Sequence, residues 1–310
     1  MKTESKPIPK SIYFIKKTKH DILNSIVTFG LLSAASLTVI SIIIIAYSLI
    51  SESYSFFTQV SLYEFFFGTQ WSAFFDNKAF GTLPLLAGTM LSSAVALGIA
   101  IPIGLGASIF LSEYSSIGLR KIIKPIIEIL AAVPTVVYGY FALYFITPNL
   151  RYFIPEIYTY NAFSAGIAMG VMIIPTITSL TEDAFHLVPS SLKIGGYALG
   201  ARKSTVILRL VIPYSLSAIL SIIILAIGRA IGETMIVSIA AGLKPTLTIN
   251  PFESIMTMTS AITQAATGDA PHGTLEYTSL FAIALYLFAI VIILNLASYY
   301  IKKRWEIRHE

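Results

Sequence analysis

The chain reads as an all-α membrane protein with six transmembrane helices, and three observations predict it. Hydrophobic residues make up 55% of the 310 positions and charged residues 12%, whereas a soluble domain usually carries about 25% charged residues. Long apolar runs alternate with polar stretches, and each is long enough to cross a hydrocarbon core of roughly 30 Å at about 1.5 Å per helical residue. The basic residues divide unevenly. With six spans, 17 Lys and Arg fall on the side that holds both termini, 3 on the other, and Arg229 lies within a span. Cytoplasmic segments collect Lys and Arg, so this is expected to be a multi-pass protein of the cell membrane with both termini cytoplasmic. The net charge of +5 then reflects topology and not affinity for nucleic acid.

The elements follow in order. Residues 1–21 form a cytoplasmic N-terminal segment with six lysines, Lys2 to Lys19. The apolar run 22–50 is too long for a signal-peptide core and no small-residue cleavage site follows it, so it is a retained first span. Residues 51–81 are rich in Phe and Tyr and hold Trp71, a composition that favours the membrane interface. The second span, 82–111, carries Gly88, Gly98, Gly104 and Gly106 for close helix approach and Pro102 for a kink. The third is 125–146 and the fourth 161–180, and a polar stretch, 181–209, leads to the fifth at 210–242. An outer loop, 243–276, precedes the sixth span at 277–301, and 302–310 is a basic tail. Residues 22–301 thus form one six-span domain. The Thr-rich run 256–263 fits an interfacial helix or a partly inserted segment equally well.

Several chemistries are excluded. There is no cysteine, so thiol catalysis and thiolate metal sites are absent. His20, His186, His272 and His309 are scattered and form no metal-binding pair, and no metal is expected. A nucleophile elbow and an HExxH helix are missing. The nearest match to a phosphate-binding P-loop, Gly200-Ala-Arg-Lys-Ser-Thr205, lacks the glycine before the lysine. The chain is therefore expected to bind no nucleotide itself, and uphill transport would need an ion gradient or a partner.

Arg229 and Glu233 are the only charges in the run 217–241. A charge at mid-membrane costs about 2.5–3.5 kcal/mol on insertion scales, so retained ones point to function. In a continuous helix the i, i+4 spacing puts both on one face. Gly228 and Gly232 form a small-x-x-x-small pair beside them, expected to let a partner helix approach. Arginine offers a planar, permanently charged fork that suits an oxyanion. Glu233 would neutralise it when the pathway is empty. Alternatively, the two charges only pair with each other or with another subunit to fix assembly. Thr135 and Tyr138 follow Pro134, where a broken helix would expose them to a pathway. Glu128 is placed for a structural or gating role, and Glu182 and Asp183 for capping the fourth span or meeting basic loop residues.

The stretch 181–209 carries the second signal. Pro189-Ser-Ser starts a helix, Gly200 breaks it, and a second helix enters the membrane near Pro213, giving a helix-turn-helix on the cytoplasmic face. Gly200 and Pro213, with Leu210 and Ile212 between them, resemble the coupling loop of permeases of the ABC importer family. Ile194-Gly195-Gly196 stands where that family has Glu-Ala-Ala. Gly228-Arg-Ala-Ile-Gly-Glu-Thr-Met235, Phe67-Gly-Thr-Gln-Trp71, the 112–139 region and Leu280-Phe-Ala are similar to phosphate permeases of the Pst type. Gly-Glu-Thr-Met and the Thr-rich outer loop look more like the PstC subunit than its PstA sister.

The resemblance implies a type I, binding-protein-dependent ABC importer permease fold, with Arg229, Glu233, Thr135 and Tyr138 along a phosphate pathway. It implies that Gly196, Tyr197, Ala198, Leu199, Gly200 and Ala201 meet an ATPase. The expected partners are a PstA-like sister permease, two PstB-like ATPases that hold ATP and Mg, a PstS-like phosphate-binding protein outside, and membrane lipid. A permease for another oxyanion such as sulfate or molybdate, and an ion-coupled secondary transporter, remain alternatives. An intramembrane enzyme has no nucleophile and base to work with.

Overall fold

The computed structural model describes residues 19–306 apart from 76, 269, 270 and 272. The basic segment expected at 1–18 and the last tail residues, 307–310, lie outside the described residues. The chain divides into two compact units, up to Leu49 and from Ile50 onward. Helix α1 (Lys19–Phe57) makes up the described part of the first unit. Phe29, Leu31, Leu37 and Val39 on different faces of it are all exposed. A helix apolar on every side suits a lipid environment.

In the second unit, the end of α1 and helix α2 (Leu62–Phe67) bring aromatic rings together. The Ser61 hydroxyl accepts the Glu64 N–H at 3.1 Å and starts α2. Phe56 meets Phe65 and Phe80 edge to face at 5.6 and 5.3 Å, and Trp71 meets Phe80 at 5.9 Å. The region expected to be interfacial therefore builds a small buried core, while Tyr54, Tyr63 and Phe67 stay exposed. Edge-to-face ring pairs add stabilisation beyond their buried area.

The centre is a close pair, α3 (Leu83–Ile109) and α7 (Ala162–His186). Pro84 lies in the first turn of α3, and the Asn161 side chain caps α7 by accepting the Ser164 N–H at 2.7 Å. Small residues let the two backbones meet: a Cβ on Gly166 would lie 2.6 Å from Val95, and one on Gly104 would lie 2.8 Å from Ile177. Nothing lies within 4 Å of a Cβ at Gly98 or Gly106, so those two glycines do not serve close approach within this chain. A Cβ on Gly88 would sit 2.4 Å from the Met256 carbonyl. Gly88→Ala is expected to destabilise by about 1–3 kcal/mol through overpacking. Gly98→Ala is expected to be neutral or stabilising by up to about 1 kcal/mol through helix propensity. Thermal unfolding of the two purified variants checks the contrast.

The third and fifth spans are not straight. Helix α4 (Ile117–Ala132) stops at Val133 because Pro134 disfavours helical backbone in the residue before it. The chain resumes as α5 (Thr135–Phe141), a π-helical turn and α6 (Thr147–Phe153), bent 88° from α4. After α7 come α8 (Ser190–Ala198), α9 (Lys203–Val206), a π-helical turn and α10 (Ile212–Tyr214). Helix α11 (Leu216–Ile231) follows at 70° to the segment before it. The sequence reading of 210–242 as one continuous helix is corrected: α11 ends at Ile231 and α12 (Met235–Ala240) begins after three intervening residues. Helices α13 (Met258–Thr267) and α14 (Leu275–Glu306) complete the unit. The Thr-rich run is thus the start of a helix whose Met258, Ser260 and Ala261 are buried, packed against α14 and α3. Among the described residues, 4 helices are long and apolar enough to cross a membrane, and the two bent pairs raise the number to 6.

Candidate functional site

Two helix breaks meet. Gly139 of α5 would place a Cβ 3.0 Å from Ile239 of α12, so the helices that follow the two breaks pack directly on each other. The break after α11 has a local cause. The Gly232 N–H reaches the Gly228 carbonyl at 3.1 Å and ends the helix. The Glu233 carboxylate then turns back and accepts the Met235 and Ile236 N–H groups at 3.1 and 3.3 Å. A carboxylate at a helix start satisfies free donors and the positive end of the dipole.

This geometry corrects the expectation of a shared face. With a break between them, Arg229 and Glu233 are not two residues of one helix, and no ion pair joins them among the described residues. Arg229 instead donates from Nη1 to the Thr176 hydroxyl of α7 at 2.9 Å. Its side chain is otherwise exposed. Tyr138 lies within electrostatic range of Arg229. It is buried, and its hydroxyl donates to the Leu130 carbonyl at 2.8 Å, clamping α5 to α4 across the Pro134 bend. Thr135 stands half-buried at the start of α5.

Gly228 and Gly232 meet no other helix within the chain. No atom lies within 4 Å of a Cβ at Gly228, and only the Gly228 carbonyl, at 3.3 Å, lies near one at Gly232. The stripe beside Arg229 is an open face.

Sequence reasoning missed a row of hydroxyls. Thr259 donates to the Glu233 carbonyl at 2.7 Å. Thr257 lies 3.0 Å from Thr259 and 2.9 Å from Ser260, and Ser238 of α12 donates to Ser260 at 3.0 Å. Thr176 was missed as well. Its signal was present: a threonine directly after Pro175, inside a span.

The helix-turn-helix expected within 181–209 forms, from α8 to α9. Gly200 has φ of +75°, the left-handed conformation that glycine adopts without strain, and it separates α8 from α9. Leu199 at its tip is 89% exposed, and Tyr197 and Ala198 are exposed too. Gly196 differs from the other expected contact residues. It is buried, and a Cβ there would meet Leu210 at 2.9 Å, so it seats α8 on its own chain and does not face outward. Ala201 is half-buried. Lys193 bonds Glu113 at 2.6 Å, and Lys203 lies over the Tyr114 ring at 4.8 Å. Both contacts tie the hairpin to the π-helical end of α3.

A second ionic group joins α4 to α7. The Glu182 carboxylate is fully buried, 2.5 Å from Arg120 Nε and 3.0 Å from Lys124 Nζ. His186 lies 3.5 Å away, and Lys124 also bonds Asp183 at 3.2 Å. Glu182 and Asp183 thus meet basic residues, as one of the two sequence expectations held.

A bundle of long and broken apolar spans, an exposed hairpin and an arginine at a helix break define a multi-pass membrane permease. The chain belongs to the family of binding-protein-dependent transport system inner membrane components, whose profile matches residues 100–307. That membership implies a substrate-binding protein and an ATPase as partners. Among its relatives is the phosphate transport system permease protein PstC of Mesorhizobium japonicum, 33% identical over 251 residues, 75% of this chain and 76% of the relative. The probable ABC transporter permease protein YqgH of Bacillus subtilis is 30% identical over 248 residues, 80% of each chain. The probable PstC of Methanocaldococcus jannaschii is 30% identical over 246 residues, 74% of this chain and 78% of the relative. Solved structures share the fold. A bacterial ABC transporter that imports the acidic polysaccharide alginate aligns with a TM-score of 0.64 at 16% identity, over 91% of this chain and 98% of its own. The MetNI methionine ABC transporter aligns at 0.54 and 15% identity, over 73% and 94%. The importer-type permease fold expected from the coupling-loop resemblance is the fold found.

Proposed function

We propose that this chain is the PstC-type permease subunit of an ATP-driven phosphate importer and forms half of the translocation pathway. The observation that carries it is Arg229: a permanent cation at a helix break, oriented by a neutral hydroxyl and not neutralised by an adjacent acid. A desolvated oxyanion needs replacement donors, and a guanidinium fork supplies them. The relatives named as phosphate permeases support phosphate as the anion. In this reading Glu233 shapes the break, Thr135 borders the pathway with the buried Tyr138 behind it and not exposed to it as the sequence suggested, and the open Gly228–Gly232 stripe receives a helix of a PstA-like sister subunit. Tyr197, Ala198, Leu199, Gly200 and Ala201 meet a PstB-like ATPase, of which two bind ATP and Mg, while a PstS-like protein delivers phosphate outside. The chain is no enzyme itself, binds no cofactor, and keeps both termini cytoplasmic. Labelled phosphate uptake by the reconstituted complex tests this. Uptake should require ATP and resist a hundredfold excess of sulfate or molybdate. Competition by those anions would reassign the substrate, and ATP-independent uptake driven by an ion gradient would reassign the class.

A further inference from the structure

A cavity of about 840 Å³ opens on the side poor in basic residues. Trp71, Phe75, Tyr140, Tyr144 and Tyr160 wall it, and Tyr140 and Tyr144 stack at 5.9 Å. Among its described lining residues one is charged, Lys244. Three basic residues lie on that side of the chain. Lys78 is bonded to Glu276. Arg151 donates to the Ile157 carbonyl at 3.3 Å and the Thr159 hydroxyl at 3.0 Å. Lys244 has no ion-pair partner among the described residues, and it is exposed at the cavity wall.

The same wall holds Ser238, Ser254 and Gln264. Ser238 is the outer end of the hydroxyl row: Ser238 to Ser260 at 3.0 Å, Ser260 to Thr257 at 2.9 Å, Thr257 to Thr259 at 3.0 Å, and Thr259 to the Glu233 carbonyl at 2.7 Å. The other three members of the row are buried, so they are shielded from bulk water. Each hydroxyl both donates and accepts, so reorienting one reorients its neighbours. A change at the cavity wall therefore reaches the helix break that follows Arg229.

We infer that this cavity is an oxyanion intake site. Lys244 supplies its charge, and an anion that draws the Ser238 proton away from Ser260 and the Thr234 carbonyl is reported through the hydroxyl row to the break beside Arg229. The ligand class is a small tetrahedral oxyanion, inorganic phosphate if the substrate reading above holds, and the inference rests on that reading for the anion and for which side is outside. A single lysine beside aromatic walls raises the local anion concentration without the multiple charges that would trap it.

The absence of cysteine makes a direct test available. Lys244→Cys is introduced into the complete complex and modified with thiosulfonate reagents of either charge. A negatively charged adduct is expected to lower phosphate uptake at least tenfold, and a positively charged one to restore most of it. Millimolar inorganic phosphate should slow modification several-fold, while chloride at equal ionic strength should not. Lys244→Arg should transport like the native chain. Uptake that ignores the adduct's charge, or modification that phosphate and sulfate both leave unchanged, overturns the intake site. So does a Lys244→Gln complex whose only defect is weaker stimulation by the binding protein, since that makes Lys244 a docking contact. If the native complex carries sulfate and not phosphate, the substrate reading fails, and protection of Cys-modified protein by sulfate still upholds the site.

Discussion

Arg229→Gln is expected to lower phosphate uptake by at least ~100-fold while the complex still assembles and its ATPase subunits still hydrolyse ATP. Glutamine keeps a neutral amide donor but ends two bonds short of the guanidinium nitrogens, so the 2.9 Å contact with Thr176 is given up as well, a part of the effect that Thr176→Val isolates. What disappears besides is the charge. Hydrogen bonds to charged groups contribute about 1.5–3 kcal/mol each, and a bidentate fork makes two, so losing the fork removes more than the ~2.7 kcal/mol that a hundredfold corresponds to. Thr176→Val tests the same arrangement from the other side. It leaves the charge but frees the guanidinium, and a milder loss is expected, about tenfold, with Thr176→Ser restoring activity. Assays of labelled phosphate uptake, with complex recovery measured by size-exclusion chromatography, separate the outcomes. A variant that no longer assembles would assign Arg229 to subunit contact, which the open glycine stripe beside it also accommodates.

Much of this architecture is written in the chain, and the missing parts have physical reasons. Apolar run length and the division of Lys and Arg are enough to place the spans, because a bilayer imposes one length scale and one charge asymmetry on every helix. Gly200 and Pro189 mark the hairpin of α8 and α9 because its turn requires a left-handed residue, and few types other than glycine supply one. The break at 232–234 was legible in principle. Gly232 followed by Glu233 is a helix end followed by a helix start, but an unbroken apolar run conceals a cap when only periodicity is read. The i, i+4 pairing failed for that reason. The partner of Arg229 was not legible: Thr176 is 53 residues away, and only the packing of α7 against α11 joins them. The Thr-rich run shows the same limit. Its hydroxyls are visible in sequence, yet their order, from the Ser238 cavity wall to the Glu233 carbonyl, exists only after α13 folds back against α12.

Glu182→Ala is expected to be the most destabilising single substitution near the α8–α9 hairpin, by about 3 kcal/mol. Helix α4 has no buried residue of its own. Its attachment to α7 therefore depends on Arg120 and Lys124, whose charges converge on the Glu182 carboxylate at 2.5 and 3.0 Å. Breaking a buried ion pair by removing one partner usually costs about 3–5 kcal/mol, since the remaining charges stay where solvent reaches them poorly. The Arg120 and Lys124 side chains retain 33% and 29% exposure, which places this case at the low end. Asp183 makes the contrast. It touches the same lysine at 3.2 Å but is 61% exposed, so Asp183→Asn should change stability by less than about 1 kcal/mol. Replacing Arg120, Lys124 and Glu182 together by methionine removes the buried carboxylate with the two cations that face it, leaves only the exposed Asp183 without its lysine, and should recover most of the loss, as apolar replacement of buried ionic groups does elsewhere. Unfolding midpoints of the purified variants in one detergent measure all three. Equal effects of Glu182→Ala and Asp183→Asn would show that α4 is held by something other than this carboxylate. Full recovery in the methionine variant, with uptake still impaired, would assign the charges to coupling between α4, α7 and the hairpin, and not to stability alone.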